Sequence, residues 1–282
     1  MPTDLVLLDG AYGPDRRSLQ AGGGMLVAYT NRSPDKETEN EDTVAVLPWG
    51  SDAVVLVVAD GAGGLPAGKR ASLTAVESLR ASLEVALDKT TDLRTAVLNG
   101  IEDANRAVRE LGNGSATTLT VVTVEGRLAR SYQIGDSEAL VVGQRGLVKL
   151  RTTAHSPTGF AVEAGFLDQR DALHHAERHL VSNFIGTVDM TIDIGAAVEL
   201  AARDTIVLAS DGVTDNLHVD EIVEATRKGP LSKAADTVVR EAEQRMTGST
   251  AGQPSKPDDL SLILFRKPPP RRGSPAPGPA HG

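Results

Sequence analysis

Four aspartates share one local setting, an apolar run that meets a turn residue. They are Val57-Val58-Ala59-Asp60-Gly61, Gln133-Ile134-Gly135-Asp136-Ser137, Leu208-Ala209-Ser210-Asp211-Gly212 and Pro257-Asp258-Asp259-Leu260-Ser261. A carboxylate at a strand end projects from a rigid scaffold into a shared cleft, and a neighbouring glycine lets backbone and ion approach closely. Carboxylates that converge repel one another unless a cation neutralises them. Oxygen donors with no cysteine and few histidines favour Mg²⁺ or Mn²⁺. Two such ions sharing a ligand would activate a bridging water and hold a phosphate between them. Singly, an Asp-Gly after a strand is ordinary turn chemistry. The weight comes from the set.

The elements that must position these residues follow from periodicity. Met25–Tyr29 and Thr43–Leu47 read as strands, and Ala53–Ala59 as a strand buried on both faces. Residues 1–24 are glycine-rich and weakly patterned. Lys69–Leu87 and Asp92–Leu111 carry apolar residues at helical spacing, and Gly112 and Gly114 punctuate the end of the second. Thr117–Val124, Leu128–Ile134, Ala139–Val142 and Leu147–Leu150 are short segments split by turns, the spacing of an antiparallel meander. Residues 158–180 read as helical and charged. Strands are predicted at Ile192–Leu200, Thr205–Ala209 and Leu260–Phe265, and helices at Asp220–Lys228 and Leu231–Met246. Blocks of helices and strands without strict alternation point to an α+β fold with sheets covered by helices. Residues 267–282, rich in Pro, Arg and Gly, are expected to form a disordered tail.

Composition narrows the function classes. The chain has 282 residues, 40% hydrophobic and 24% charged, with only 3% aromatic, so Val, Leu, Ile and Ala must build the core. A net charge of -9 argues against nucleic acid as the main partner. The absence of cysteine excludes disulfides, thiolate metal ligands and a cysteine nucleophile, and suits a cytoplasmic protein. No apolar run approaches the roughly 20 residues that span a bilayer, so no membrane partner is expected.

The motifs resemble those of the metal-dependent protein serine/threonine phosphatases, type 2C, and in particular their bacterial branch. The similarity runs from about Met25 to Phe265. Asn40-Glu41-Asp42 resembles the N-E-D start. Asp60-Gly61-Ala62-Gly63-Gly64 resembles D-G-x-G-G, and Gly68 to Ser72 the following G-x-x-A-S. Ser115 to Thr118 is similar to the G-T-T strand entry. Gly135-Asp136-Ser137, Ser210-Asp211-Gly212 and Asp258-Asp259-Leu260-Ser261 are similar to G-D-S, S-D-G and the closing D-N-x-[ST].

That resemblance implies a four-layer α-β-β-α sandwich: two antiparallel sheets flanked by helices, with a flap insertion at about 157–184 in one domain spanning 1–266. It implies two Mg²⁺ or Mn²⁺ ions, with Asp60, Asp211 and Asp42 as the catalytic core. Asp60 would bridge the ions and Gly61 offer its carbonyl. Asp211 and Asp258 would complete one ion, Glu41 and Asp42 serve the other, and Asp136 match the position of a third, weaker ion. Phosphoserine and phosphothreonine in proteins would be hydrolysed by an activated hydroxide, without a phosphoenzyme. The expected partners are phosphorylated proteins and a cognate serine/threonine kinase, and the expected state is a monomer. Val162 to Gly165 and Ile185-Gly186-Thr187 resemble the flap's E-x-G turn and its exit, and a mobile flap helps choose substrates.

The match fails on the phosphate side. The family's phosphate-binding arginine falls at Glu37, which would repel phosphate, leaving Arg32 or Lys36 as substitutes. Ala62, Leu65 and Lys69 also replace residues seen in relatives. The alternative is a catalytically weak relative that binds phosphoproteins or a kinase as a regulator. Other chemistries fit less well. His174, His175 and His179 cluster on a predicted helix, but Glu177 is misplaced for H-E-x-x-H. No G-x-S-x-G supports a serine hydrolase.

Overall fold

The run Ala53–Ala59 offers no polar face, so both of its sides must be covered, and all seven residues are buried. The computed structural model describes residues 5–62, 67–89, 91–112, 114–248 and 252–269. In chain order the elements begin with β1 (Val6–Leu8), β2 (Asp15–Ala21), β3 (Gly24–Asn31), β4 (Thr43–Trp49), β5 (Ala53–Ala59) and β6 (Gly61–Ala62). Then come α1 (Ala67–Asp88), α2 (Leu93–Leu111), β7 (Ala116–Thr117), β8 (Leu119–Glu125), β9 (Leu128–Ile134), β10 (Glu138–Val142) and β11 (Val148–Arg151). Next are α3 (Pro157–Glu163), α4 (Gln169–Ala172), β12 (Asp193–Ile194), β13 (Val198–Glu199) and β14 (Thr205–Ala209). The last are α5 (Asp211–Thr214), α6 (Val219–Thr226), α7 (Leu231–Thr247) and β15 (Leu260–Arg266).

Two antiparallel sheets carry the fold. One runs β1-β4-β5-β8-β9-β12, with β13 also on β9; the other runs β11-β10-β14-β15-β3-β2. Alternation along each strand sorts the core into three layers. On β5, Val54, Leu56 and Val58 point between the sheets and meet Ile206, Leu208, Ile263 and Phe265. Val55, Val57 and Ala59 point the other way, against Ala71, Leu79, Val97 and Ile101 of α1 and α2. On the second sheet, Val207, Leu262 and Leu264 pack outward against Val213, Ile222 and Val238 of α5, α6 and α7. The result is the expected α-β-β-α sandwich. Each Val or Leu taken fully from water contributes about 1.5–3 kcal/mol, so these runs hold the strand ends rigidly. Among the described residues no helix is long and apolar enough to cross a membrane.

Several local readings need correction. Residues 6–8 and 15–21 form strands. β2 is an edge strand with mostly polar side chains, so it is made by backbone pairing to β3 rather than by an apolar pattern. Gly22 and Gly23, at φ +52° and +69°, turn the hairpin as only residues tolerant of positive φ can. The predicted meander is split, with β8 and β9 in one sheet and β10 and β11 in the other, the chain crossing at Gly135–Ser137. Ile192–Leu200 is broken at Gly195, where a Cβ would lie 2.3 Å from Ser131 Oγ. Only α3 and the single turn α4 are helical within 158–180, and His174, His175 and His179 lie in turns after α4. Lys267, assigned to the tail, is buried and pairs with Asp52 at 3.0 Å. Gly63, Gly64, Leu65 and the tail from 270 lie outside the described residues.

Candidate metal centre

The same ends of the two sheets meet, and the acidic residues collect there. In the first sheet Thr43 pairs with Ala59, so Glu41-Asp42 before β4 stands beside Asp60 after β5. In the second, Ala209 pairs with both Glu138 and Leu262. That register brings Asp136 before β10, Asp211 after β14 and Asp258 before β15 to one edge.

Neighbouring motifs lock these backbones. Thr118 N donates to the Asp60 carbonyl at 2.8 Å, Thr117 Oγ1 donates to it at 2.7 Å, and Asp60 N donates to Thr118 Oγ1 at 3.0 Å. Thr118 Oγ1 also lies 3.0 Å from Ser137 Oγ, which ties the Gly-Asp-Ser turn to the same strand entry. Buried Asn40 donates to Thr30 Oγ1 at 2.7 Å and accepts from Asp42 N at 2.9 Å. Thr30 in turn bonds Ser261 of β15 at 2.8 Å, so the Asn-Glu-Asp turn that leads into β4 of the first sheet is anchored to the second. Lys69 Nζ donates to the Asp42 carbonyl at 3.0 Å. Gly212 lies against the backbone of Asp259, where a Cβ would sit 2.0 Å from its carbonyl oxygen.

The electrostatics record the crowding. Burial pushes Asp60 well above the ordinary carboxylate range, and Asp42, Asp211, Asp258 and Asp136 push it further. Burial, with Asp259 and Asp211 adding, raises Asp42 to about 8. Asp136 is also driven well up, by burial and then by Asp211 and Asp215. Burial and Asp211 lift Asp258 to about 7 and Asp215 to about 6, against the pull of Lys256. In all five, burial and neighbouring carboxylates disfavour the bare charge, and a cation among them would offset that cost.

Oxygens suited to a cation are left free. Among the described residues, Glu41 Oε1, both carboxylate oxygens of Asp42 and Asp211 Oδ1 are buried without a hydrogen-bond partner. Native proteins rarely leave buried acceptors unsatisfied. Gly68 keeps open a point where two oxygens meet: a Cβ there would lie 2.3 Å from Glu41 Oε1 and 2.7 Å from the Gly61 carbonyl oxygen. By number, hardness and lack of partners these donors fit Mg²⁺ or Mn²⁺. They do not form a closed cage: among the described residues, no three His, Asp or Glu side chains already stand grouped to hold an ion.

Two lysines explain part of that spacing. Lys256 Nζ forms an ion pair with Asp211 Oδ2 and lies 3.0 Å from Asp215 Oδ2 and 3.1 Å from Asp258 Oδ2. Lys36 Nζ donates to Glu41 Oε2 at 2.7 Å and to Asp259 Oδ2 at 2.6 Å. Asp259 accepts from Ser33 N at 2.8 Å and Glu41 N at 2.7 Å as well. Arg32 Nη1 donates to the carbonyls of Glu37 and Thr38 at 3.3 and 3.4 Å, and Glu37 is exposed.

The pattern of Protein phosphatase 2C matches residues 33–247. The chain belongs to the protein phosphatase 2C family. It is 29% identical over 213 residues to protein phosphatase PhpP of Streptococcus pneumoniae, covering 73% of this chain and 86% of that one. The crystal structure of the PPM Ser-Thr phosphatase MsPP from Mycobacterium smegmatis, in complex with cacodylate, is 26% identical, with a TM-score of 0.70 over 86% of this chain and 97% of that one. The catalytic domain of the serine/threonine protein phosphatase PstP, in complex with two manganese ions, shares the fold at 22% identity, with a TM-score of 0.66 over 93% of this chain and 99% of that one. This protein phosphatase 2C chain is therefore a hydrolase, a protein phosphatase, built on two antiparallel sheets with helices.

Three residues of the site carry roles that the sequence reading did not assign. Asp215 lies one turn after Asp211, at the end of α5, a helix too short to show periodicity. Asp259 stands where the closing motif has Asn, and its three donors make it a structural knot. Lys256 directly precedes Pro257-Asp258 beyond the matched stretch, and only its position beside the motif could have flagged it.

Proposed function

We propose that this phosphatase hydrolyses phosphoserine and phosphothreonine in proteins at a centre of two Mg²⁺ or Mn²⁺ ions, opposing a serine/threonine kinase. The observation that carries the reading is the convergence of buried, unpartnered carboxylate oxygens where the two sheets end. Bound divalent ions would supply the charge that activates water and neutralises the phosphoryl group. Asp60 stands between the two groups of donors and would serve both ions, with the Gly61 carbonyl beside it. Glu41 and Asp42 would hold one ion, and Asp211 and Asp258 the other, with Asp215 at hand. Asp136 is the residue for a third, weaker ion. The threonines at 117 and 118 keep Asp60 oriented.

For the substrate phosphate, Arg32 is the better of the two candidates. Its guanidinium is partly exposed and, among the described residues, tied to two carbonyls, whereas Lys36 is held by two carboxylates. The domain spans 1–266, with residues 157–184 as a flap. They line one side of a cavity of about 130 Å³ whose other wall includes Asp136, Asp211 and Asp215. A cysteine-free monomer in the cytoplasm suits this role.

Turnover of a phosphoserine peptide by the full chain tests the reading. Release of phosphate is expected with Mn²⁺ and is expected to stop with chelator. Metal binding without turnover would instead favour the regulator that binds phosphoproteins.

A further inference from the structure

Lys256 is built into the acidic site rather than resting on its rim. Its peptide is clamped by buried Asn216, whose Oδ1 accepts from Lys256 N at 2.8 Å and whose Nδ2 donates to Lys256 O at 2.8 Å. The same Nδ2 donates to the Gly212 carbonyl at 2.9 Å, so the clamp is continuous with the turn that carries Asp211. Arg245 holds Asn216 by its carbonyl at 2.7 Å. Ser255 Oγ donates to the Arg245 carbonyl at 2.7 Å, and flap residue Arg178 donates to Ser255 O at 2.8 Å. Pro257 fixes its own φ and restricts the backbone of Lys256 before it. From this fixed backbone the side chain reaches the carboxylates of Asp211, Asp215 and Asp258 together. Among the described residues no lysine or arginine forms an ion pair with the Asp42 carboxylate, which the Ser261 and Ser210 hydroxyls face.

We propose that the Lys256 ammonium is an internal cation that competes with divalent metal for the Asp211, Asp215 and Asp258 side of the site. This rests on the binuclear reading above. An ammonium is a single charge on a flexible four-carbon stem. A divalent ion brings twice the charge and draws several oxygens to itself at once. Metal therefore displaces the ammonium, and the energy of breaking three ion pairs is subtracted from its affinity. On the Glu41 and Asp42 side the Lys36 ammonium touches one oxygen of one ligand, Glu41, and is shared with Asp259, whereas Lys256 holds three carboxylates, so the two sides bind metal unequally. The lysine also spares the metal-free chain from like-charge repulsion at the sheet ends.

The test is calorimetric titration of the chelator-stripped full chain with MnCl₂ at one pH, for wild type and Lys256→Met. The variant is expected to bind at the weaker site roughly tenfold tighter. Its stripped form is expected to melt several degrees lower than wild type, with no deficit once Mn²⁺ is saturating. Equal affinities and stoichiometries would overturn the lysine's role and leave the binuclear reading intact. Binding by neither protein would overturn both. Wild type alone gives a second measurement, acetylation of Lys256 by an amine-reactive reagent, followed by mass spectrometry. Its modification is expected to rise several-fold on adding Mn²⁺, and an unchanged rate would count against displacement.

Discussion

Lys36 and Lys256 reach the same acidic cluster from different loops, and their partners differ in kind. Lys36 meets Asp259, a carboxylate already accepting two backbone N–H groups, and Glu41 Oε2. Asp259 is satisfied, with donors on both of its oxygens, and the loop at 32–41 is bolted to the start of β15, while Glu41 Oε1 stays open. Lys256 meets Asp211, Asp215 and Asp258, three acids to one ammonium, with Asp211 Oδ1 still unpartnered. That group is open to exchange. An ion pair is a bolt when its carboxylate is otherwise satisfied, and a placeholder when excess negative charge remains around it.

The sharpest way to break this contrast is at Asp60, where no lysine among the described residues intervenes. Asp60→Asn is expected to lower phosphopeptide turnover at least about a hundredfold, beyond what loss of a supporting partner costs. Removing one of several repelling charges should leave the melting temperature of the stripped protein unchanged or raised. Retained turnover in steady-state kinetics would remove Asp60 from the machinery. Gly212→Ala comes next. A methyl group 2.0 Å from the Asp259 carbonyl oxygen forces α5 and β15 apart, and a cost of about 1–3 kcal/mol is expected in denaturant unfolding. Near-native stability would show that this approach does not hold the two acidic residues in place.

Lys36→Met should lower stability by about 2 kcal/mol, the scale of a hydrogen bond to a charged group. The loss should be the same with and without Mn²⁺, unlike that of Lys256→Met. A Lys36 deficit that vanished with Mn²⁺ would erase the distinction.

Acidity sharpens the comparison further. Asp42, Asp258 and Asp215 titrate in the fold near 8, 7 and 6, against an ordinary 3.8. Their folded values are raised, so the stability they contribute is present at low pH and lost as pH climbs through those values. Stripped protein should thus melt lower at about pH 8 than at about pH 5, and saturating Mn²⁺ should abolish the trend. A flat profile in scanning calorimetry would contradict the crowding. The smallest effect is expected at Glu37. Glu37→Arg should lower KM for a phosphopeptide a few-fold, about 0.5–1 kcal/mol at an exposed position, while an unchanged KM would separate this position from the phosphate.

What the sequence made legible divides along the same line. Ala53–Ala59, Thr205–Ala209 and Leu260–Phe265 are runs that only a sheet covered on both faces can hold. From their ends Asp60, Asp211 and Asp258 could be named. β2 was hidden because an edge strand is made by backbone pairing, and Asp15–Ala21 carries no apolar alternation. The split of β8–β9 from β10–β11 was hidden because a sheet change at Gly135 resembles any tight turn. Lys256 and Asp215 were hidden because their role depends on distances across the two sheet ends, which no local pattern records. Gly61 and Gly212 carry a packing requirement besides: at each, a Cβ would strike the backbone of Gly68 or Asp259.

The central claim is that these carboxylates form a site for two divalent cations organised around Asp60. Equilibrium dialysis of the chelator-stripped full chain against Mn²⁺, wild type beside Asp60→Asn, tests it most directly. Two ions per wild-type chain are expected, with the variant losing at least one. No bound Mn²⁺ in wild type, or equal binding by both proteins, would contradict it.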